Sequence, residues 1–474
     1  MLVKTASQSL NEQLCLRFAD RIRSRLLAPG ARLPSVRLCA EQQGVSVSTV
    51  VAAYDQLQAQ GLIVAQKNRG FFVREYASNK LFAHDTPTHA AIKNIANTPV
   101  DAAALIRGMF YPVSAKLQPG IGVFPGDWLE NRFLAAAVRK MTSVSGLRDL
   151  SLHYGEPKGD SGLRRALSQR LGALNIAAAP GQIITTVGAT HGLDIIGRTL
   201  LRAGDRVMVE EPGWAVEFAR LAALGMCILP VPRRADGPDL EMMAQYCTLN
   251  APKLFVSVSV FHNPTGYCLA PSSAHRLLQL ASQHNFHIAE DDTYSHLAPD
   301  HATRLCALDG LQRTIYVSGF SKILAPGWRV GFMAAPPDLV EPLLNTKLLS
   351  TLSTPALFEK ALAWCMDQGQ LRRHAERIRS RLDQARARSV KLALAHGCTF
   401  AAEPAGLFGW VETGVDTDAL TQRLLDQDYL IAPGSLFHAA RKPGGLMRIN
   451  FATTQDPAFW AVFARLRDAA RPAP

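Results

Sequence analysis

Lys322 has neighbours suited to covalent chemistry. It lies in Tyr316-Val-Ser-Gly-Phe-Ser-Lys322-Ile-Leu-Ala-Pro-Gly-Trp-Arg329-Val-Gly, just past an apolar run. A lysine at a strand end can form a Schiff base with an aldehyde. Arg329, seven positions on, and nearby hydroxyls can hold a phosphate. Three further clusters follow other apolar runs. In His262-Asn263-Pro264-Thr265-Gly266, Asn263 can donate to a phenolate oxygen. In Glu290-Asp291-Asp292-Thr293-Tyr294, a carboxylate can keep a pyridine nitrogen protonated and make the ring an electron sink. In Val187-Gly188-Ala189-Thr190-His191, amides at a helix start offer an anion site. Glu211-Pro212-Gly213-Trp214 supplies an aromatic plane. Each motif alone is weak, since any lone lysine is usually a surface charge and NPTG an ordinary turn. The set in this order is specific.

A set of that kind needs one frame to gather it. From about residue 180 the runs 182–187, 206–209, 226–231, 254–260, 286–289 and 315–317 alternate with helix-length segments. Such alternation predicts a mostly parallel sheet covered by helices. Ligands in such sheets bind at the carboxyl ends of strands, where the motifs fall. With 474 residues, 48% hydrophobic and 19% charged, the chain is too long for one ordinary domain and too apolar for general disorder. No stretch approaches the roughly 18 apolar residues of a membrane helix, and the start lacks a secretory signal, so a cytoplasmic protein is expected. The eight cysteines form no CxxC, which argues against a zinc ribbon or dithiol site and for reduced thiols.

Net charge is +12, and its distribution is informative. Residues 1–76 hold ten Lys/Arg against five acids, a plausible phosphate-facing surface. Leu14, Phe18, Ile22 and Leu26 give a first helix one apolar face. Ser35 can cap a second helix through Glu41, and Ser46 or Ser48 a third with Val50, Tyr54 and Leu57 inward. Residues 62–64 and 71–73 read as strands around a Lys67–Gly70 turn, a two-stranded wing. The stretch PGARLPSVRLCAEQQGVSVSTVVAAYDQLQAQGLIVAQKNRGFFV resembles the winged helix-turn-helix of the GntR family of bacterial regulators. That resemblance implies that Arg37, Ser46, Ser48 and Thr49 contact phosphates or bases of double-stranded DNA, and that Arg69 and Gly70 touch the minor groove. Family members often carry a basic residue between the two turn hydroxyls; here it is Val47. Residues 77–115 are rich in turn chemistry and read as a linker. A second basic run, 370–392, carries eight Lys/Arg and two acids; it reads as one long helix with a solvated face.

The large segment, 116–474, resembles the fold-type I, pyridoxal-phosphate-dependent aminotransferases. The resemblance implies a large α/β domain with a C-terminal α+β subdomain. It gives Lys322 the Schiff base, Asp291 the pyridine nitrogen, Tyr294 and Asn263 the ring hydroxyl, and Trp214 the ring face. It gives the phosphate to Ala189, Thr190, Ser321 and Arg329, with Ser318 as a second candidate hydroxyl. Many relatives have Ser or Thr three positions before the lysine, where this chain has Gly319. Tyr154 would reach the phosphate of a partner subunit, and Arg448 would bind a substrate carboxylate. Asp292 competes with Asp291, but the Asp-x-x-Tyr spacing favours Asp291.

Together the two parts resemble the MocR subfamily of regulators. That implies a head-to-tail homodimer, each reader lying against the other subunit, which senses pyridoxal phosphate, an amino acid or another amine. Two readings compete: an active aminotransferase with a vestigial DNA domain, and a repressor whose large domain only dimerises. The complete lysine, aspartate, tyrosine and arginine set speaks against the last, and the basic N-terminal segment against the first.

Overall fold

The computed structural model describes residues 9–23, 27, 30–66, 69–74, 118–129, 132–143, 152–324 and 326–471. The expected linker, 77–115, lies outside them. Helices α1 (Leu10–Arg23), α2 (Val36–Gln43) and α3 (Val47–Ala59) precede the hairpin β1 (Ile63–Gln66) and β2 (Gly70–Val73). Ser35 caps α2, accepting from Leu38 N at 3.3 Å. Gly44 then ends α2 at φ +64, a left-handed conformation that glycine adopts without strain. Of the two candidate caps for α3 the structure uses Ser46, which accepts from Thr49 N at 3.1 Å. Leu14, Phe18, Val50, Tyr54 and Leu57 form one buried cluster, as their spacing predicts.

The large part is built on eight strands: β3 (Ile183–Thr186), β4 (Arg206–Glu211), β5 (Cys227–Arg234), β6 (Gly237–Pro238), β7 (Leu254–Ser257), β8 (His287–Asp291), β9 (Thr314–Gly319) and β10 (Gly331–Ala334). Their order is β3-β10-β9-β8-β7-β4-β5-β6. Pairs β4/β5, β4/β7, β7/β8 and β8/β9 are parallel. Strand β10 runs antiparallel to both neighbours. Six of these strands match the alternating runs; β6 and β10 do not, because β6 has only two residues and the four of β10 follow the Arg329 turn with no polar break.

A second, antiparallel sheet comprises β11 (Thr399–Phe400), β12 (Phe408–Glu412), β13 (Ala432–Pro433) and β14 (Leu446–Asn450), ordered β11-β12-β14-β13. It places Arg448 on β14 opposite Trp410 and Ala432. The long helix Gln370–Ala395 buries Leu371, Ile378 and Leu382. Its arginines meet nearby acids: Arg372 Glu376 at 3.1 Å, Arg386 Asp383 at 2.6 Å and Arg381 Asp127 at 2.8 Å. That is the solvated face expected. Among the described residues no helix is long and apolar enough to cross a membrane.

Helix α1 meets the turn between the helix Thr417–Leu425 and β13. Arg17 pairs with Asp428 at 2.6 Å and Arg21 with Asp426 at 2.6 Å. Arg21 also donates to the Leu425 carbonyl at 2.7 Å, and Arg17 to that of Asp426 at 3.1 Å. These contacts are made within one chain.

Candidate functional site

Lys322 follows β9, and its Nζ donates to the Gly122 carbonyl at 2.7 Å. Burial, reinforced by the positive Arg448 and Arg329 and opposed by Asp291, lowers its pKa to about 8. Tyr294 lies with its ring centroid 6.0 Å from that amine and edge-on to Phe408. Burial raises the Tyr294 phenol, while Arg448 and an Asn263 hydrogen bond pull the other way. Asn263 accepts from Arg448 Nη1 at 2.9 Å, so one amide joins the tyrosine to the arginine.

The neighbouring aspartates divide cleanly. Asp292 is fully buried, takes Arg304 Nε at 2.5 Å and accepts from the Tyr316 hydroxyl at 2.9 Å. Its charge is committed behind the sheet. Asp291 ends β8 and accepts from the amide and hydroxyl of Thr293. Burial, opposed by Thr293 and assisted by the negative Glu217 and Asp292, lifts its carboxyl to about 6.

Arg448 is 2% exposed. Its Cζ lies 4.3 Å from the Phe408 ring centroid, 5.0 Å from Phe437 and 5.5 Å from Trp214. Nη2 donates to the Gly120 carbonyl at 2.6 Å, and Nε is buried with no partner among the described residues. Burial lowers its pKa to about 10, still charged at neutral pH. The segment Gly120–Gly122 therefore ties Arg448 and Lys322 to one stretch of backbone.

The third corner is an anion cradle. The helix Ala189–Leu200 starts after Gly188 (φ +80) with no side chain capping it, which leaves amides for a ligand. Arg329 Nη2 donates to the Val187 carbonyl at 2.9 Å, and Nη1 to the Ser321 hydroxyl at 3.5 Å. A Cβ on Gly188 would meet Arg329 at 2.4 Å, and one on Gly331 would meet Gly188 at 2.5 Å, so both positions exclude side chains. Val187, Thr190, His191, Asp194, Arg220, Arg329 and Thr351 line a pocket of about 510 Å³ here.

The structure thus gathers Lys322, Asp291, Tyr294, Asn263, Trp214 and Arg448, with Ala189, Thr190, Ser321 and Arg329 at the cradle. It does not bring Ser318 there. That hydroxyl is fully buried and donates to the Asp292 carbonyl at 2.8 Å, with Ser295 at 3.2 Å. Gly319 is what faces the cradle: a Cβ there would lie 3.5 Å from the Ala189 amide. Tyr154 stands 84% exposed. In the reader, Arg37, Ser46, Ser48 and Arg69 are exposed, and Ser46 Oγ lies 2.8 Å from both the Ser48 and Thr49 hydroxyls. Gly70 begins β2 at φ +101. Sequence reading missed the Gly120 and Gly122 carbonyls, Phe408 and Phe437. Only the Pro119-Gly-Ile-Gly spacing hinted at the first two.

Residues 117–459 match the aminotransferase class I and II family. The chain belongs to that family. Residues 10–73 match the gntR family of bacterial regulatory proteins, so a GntR helix-turn-helix domain precedes the aminotransferase domain. An uncharacterised HTH-type transcriptional regulator of Escherichia coli K12, YdcR, is 29% identical over 454 residues, covering 93% of this chain and 94% of the relative. The probable rhizopine catabolism regulatory protein MocR of Rhizobium meliloti is 28% identical, covering 80% and 76%. The crystal structure of Pyrococcus horikoshii kynurenine aminotransferase, in complex with PMP and kynurenine, has a TM-score of 0.69 and 26% identity, covering 77% of this chain and 93% of that one.

Proposed function

We propose that this chain is a MocR-type transcription regulator that binds operator DNA through its reader and pyridoxal phosphate with an amino compound through its large domain. One observation carries the reading. A buried lysine, aspartate, tyrosine and arginine converge beside an anion cradle in a chain that begins with a GntR reader. The pocket fits the cofactor on structural grounds: the cradle, with Gly188 and Gly331 where no side chain fits, suits a phosphate, and buried Arg448 Nε has no partner among the described residues.

In this reading Lys322 is the covalent anchor, and Asp291 faces the ring nitrogen. Tyr294 and Asn263 hold the ring oxygen, and Trp214 covers the ring. Ala189, Thr190, Ser321 and Arg329 hold the phosphate. When bound, pyridoxal phosphate supplies an aldehyde for amines to exchange onto and a ring that accepts electrons. Lys322, lowered to about 8, offers a usable free amine near neutral pH. Asp291, raised to about 6, can share a proton with the ring. Arg448 binds a carboxylate when that anion replaces the Gly120 carbonyl on Nη2.

The same exchange supports regulation. Gly120 N donates to the Leu430 carbonyl at 3.1 Å, two residues from Asp428, which holds Arg17 of α1. A carboxylate at Arg448 thereby acts on the segment that grips the reader. Residues 1–76, 77–115 and 116–474 serve as reader, linker and sensor in a cytoplasmic homodimer. Exposed Tyr154 completes the partner's phosphate site in a dimer whose readers each rest on their own subunit through α1. The intact pocket also favours a second reading, a working transaminase. Visible spectra of the pure protein with a panel of amines, alongside operator binding, test both. A protein that stays colourless with added pyridoxal phosphate overturns the first, and full turnover of an amino acid without any DNA binding supports the second.

A further inference from the structure

The reading helix α3 has two faces. Val50, Ala53, Tyr54 and Leu57 turn inward and are fully buried. The opposite side begins with Val47 (50% exposed), Ser48 and Val51 (42% exposed), and continues through Asp55 and Gln58. Two branched apolar side chains at i and i+4 lie on one stripe, one above the other. Among the described residues nothing covers them: the reader meets its own body through Arg17 and Arg21 of α1. The domain that carries the stripe is basic, with ten Lys/Arg against five acids in residues 1–76, and Arg37 of α2 and Arg69 of the wing are exposed. Charge complementarity therefore commits the stripe to a polyanion rather than to a protein surface.

The helix Val47–Ala59 contains no Lys or Arg. It cannot make the commonest specific contact, a cation to the O6 and N7 of guanine. What its first two turns offer a major groove is methyl groups flanked by hydroxyls. The one apolar feature on a base edge there is the thymine C5-methyl. We infer that Val47 and Val51 read thymine methyls, so that each half-site carries thymines under the start of α3, and Ser48 and Thr49 supply the polar contacts around them. This rests on the DNA-reading function proposed above and names the chemistry of its specificity.

Selection of the full-length protein on randomised duplexes gives the preferred site. Each thymine in it is then replaced singly by deoxyuridine, which removes only the methyl. At one or two positions per half-site, wild-type affinity should fall about four-fold, the effect of leaving one methyl unburied. Val47→Ala and Val51→Ala should each lose that discrimination at one position while keeping salt-dependent binding. Val47→Arg should shift the selected base toward guanine. A defined site at which deoxyuridine has no effect anywhere, or alanine variants that still discriminate, overturns the inference alone. Failure to bind any duplex overturns the DNA-reading function with it.

Discussion

Capture of an aldehyde requires Lys322 as the free amine, so its rate should follow the titration of that one group. At pH 7.5 a lysine with pKa about 8 is about one-quarter neutral, whereas an ordinary one is only about one-thousandth neutral. The pocket should therefore capture pyridoxal phosphate roughly 200-fold faster than a surface lysine of equal reactivity. Burial is the first cause, and the charges make it separable. Arg448→Ala removes a positive neighbour and should move the midpoint up. Asp291→Asn removes a negative one and should move it down. Stopped-flow absorbance of the cofactor-free protein mixed with pyridoxal phosphate, across about pH 6 to 10, reads the profile. The expected trace rises to a plateau with a midpoint near 8. A rate still climbing tenfold per pH unit through pH 9, or variants that shift the same way, would refute the assigned surroundings of Lys322.

Arg448→Ala should keep the cofactor but weaken the spectral response to amino acids by roughly 2–5 kcal/mol, at least about 30-fold in concentration; an unchanged titration would mean another cation holds the carboxylate. Asp426→Asn with Asp428→Asn should speed hydrogen exchange in α1 and uncouple DNA affinity from added amino acid, because both ion pairs of α1 with the turn after the helix Thr417–Leu425 are cut; unchanged exchange would show that the contact does not hold the reader. Arg37→Ala should weaken binding to all duplexes and flatten the slope of log affinity against log salt by about 0.9, the signature of one phosphate contact.

The reader was legible because its signals are local: apolar spacing of four, cap serines and glycine stops all act within one turn. Lys322 and its neighbours in the pocket were legible because each follows an apolar run, and a parallel sheet gathers strand ends. What could not be read depends on remote contacts. Arg17 and Asp428 are 411 positions apart, and Arg448 and Gly120 are 328 apart. The strands β11 and β13 have two residues each, too short for any periodicity. Ser318 misleads because its place among hydroxyls before Lys322 is visible in the sequence, whereas the face it takes is set by strand alternation. On β9 it lies one position from Gly319, so its side chain turns to the opposite face, toward Asp292.

Fluorescence anisotropy of labelled operator DNA with the full-length protein bears most directly on the central claim. It is run with pyridoxal phosphate, with and without a saturating amino acid, for wild type and Lys322→Ala. Wild type should change its DNA affinity on adding the amino acid, and Lys322→Ala should bind DNA with no such change. Identical wild-type affinity in both conditions, across a panel of amines that alter the visible spectrum, would contradict the account.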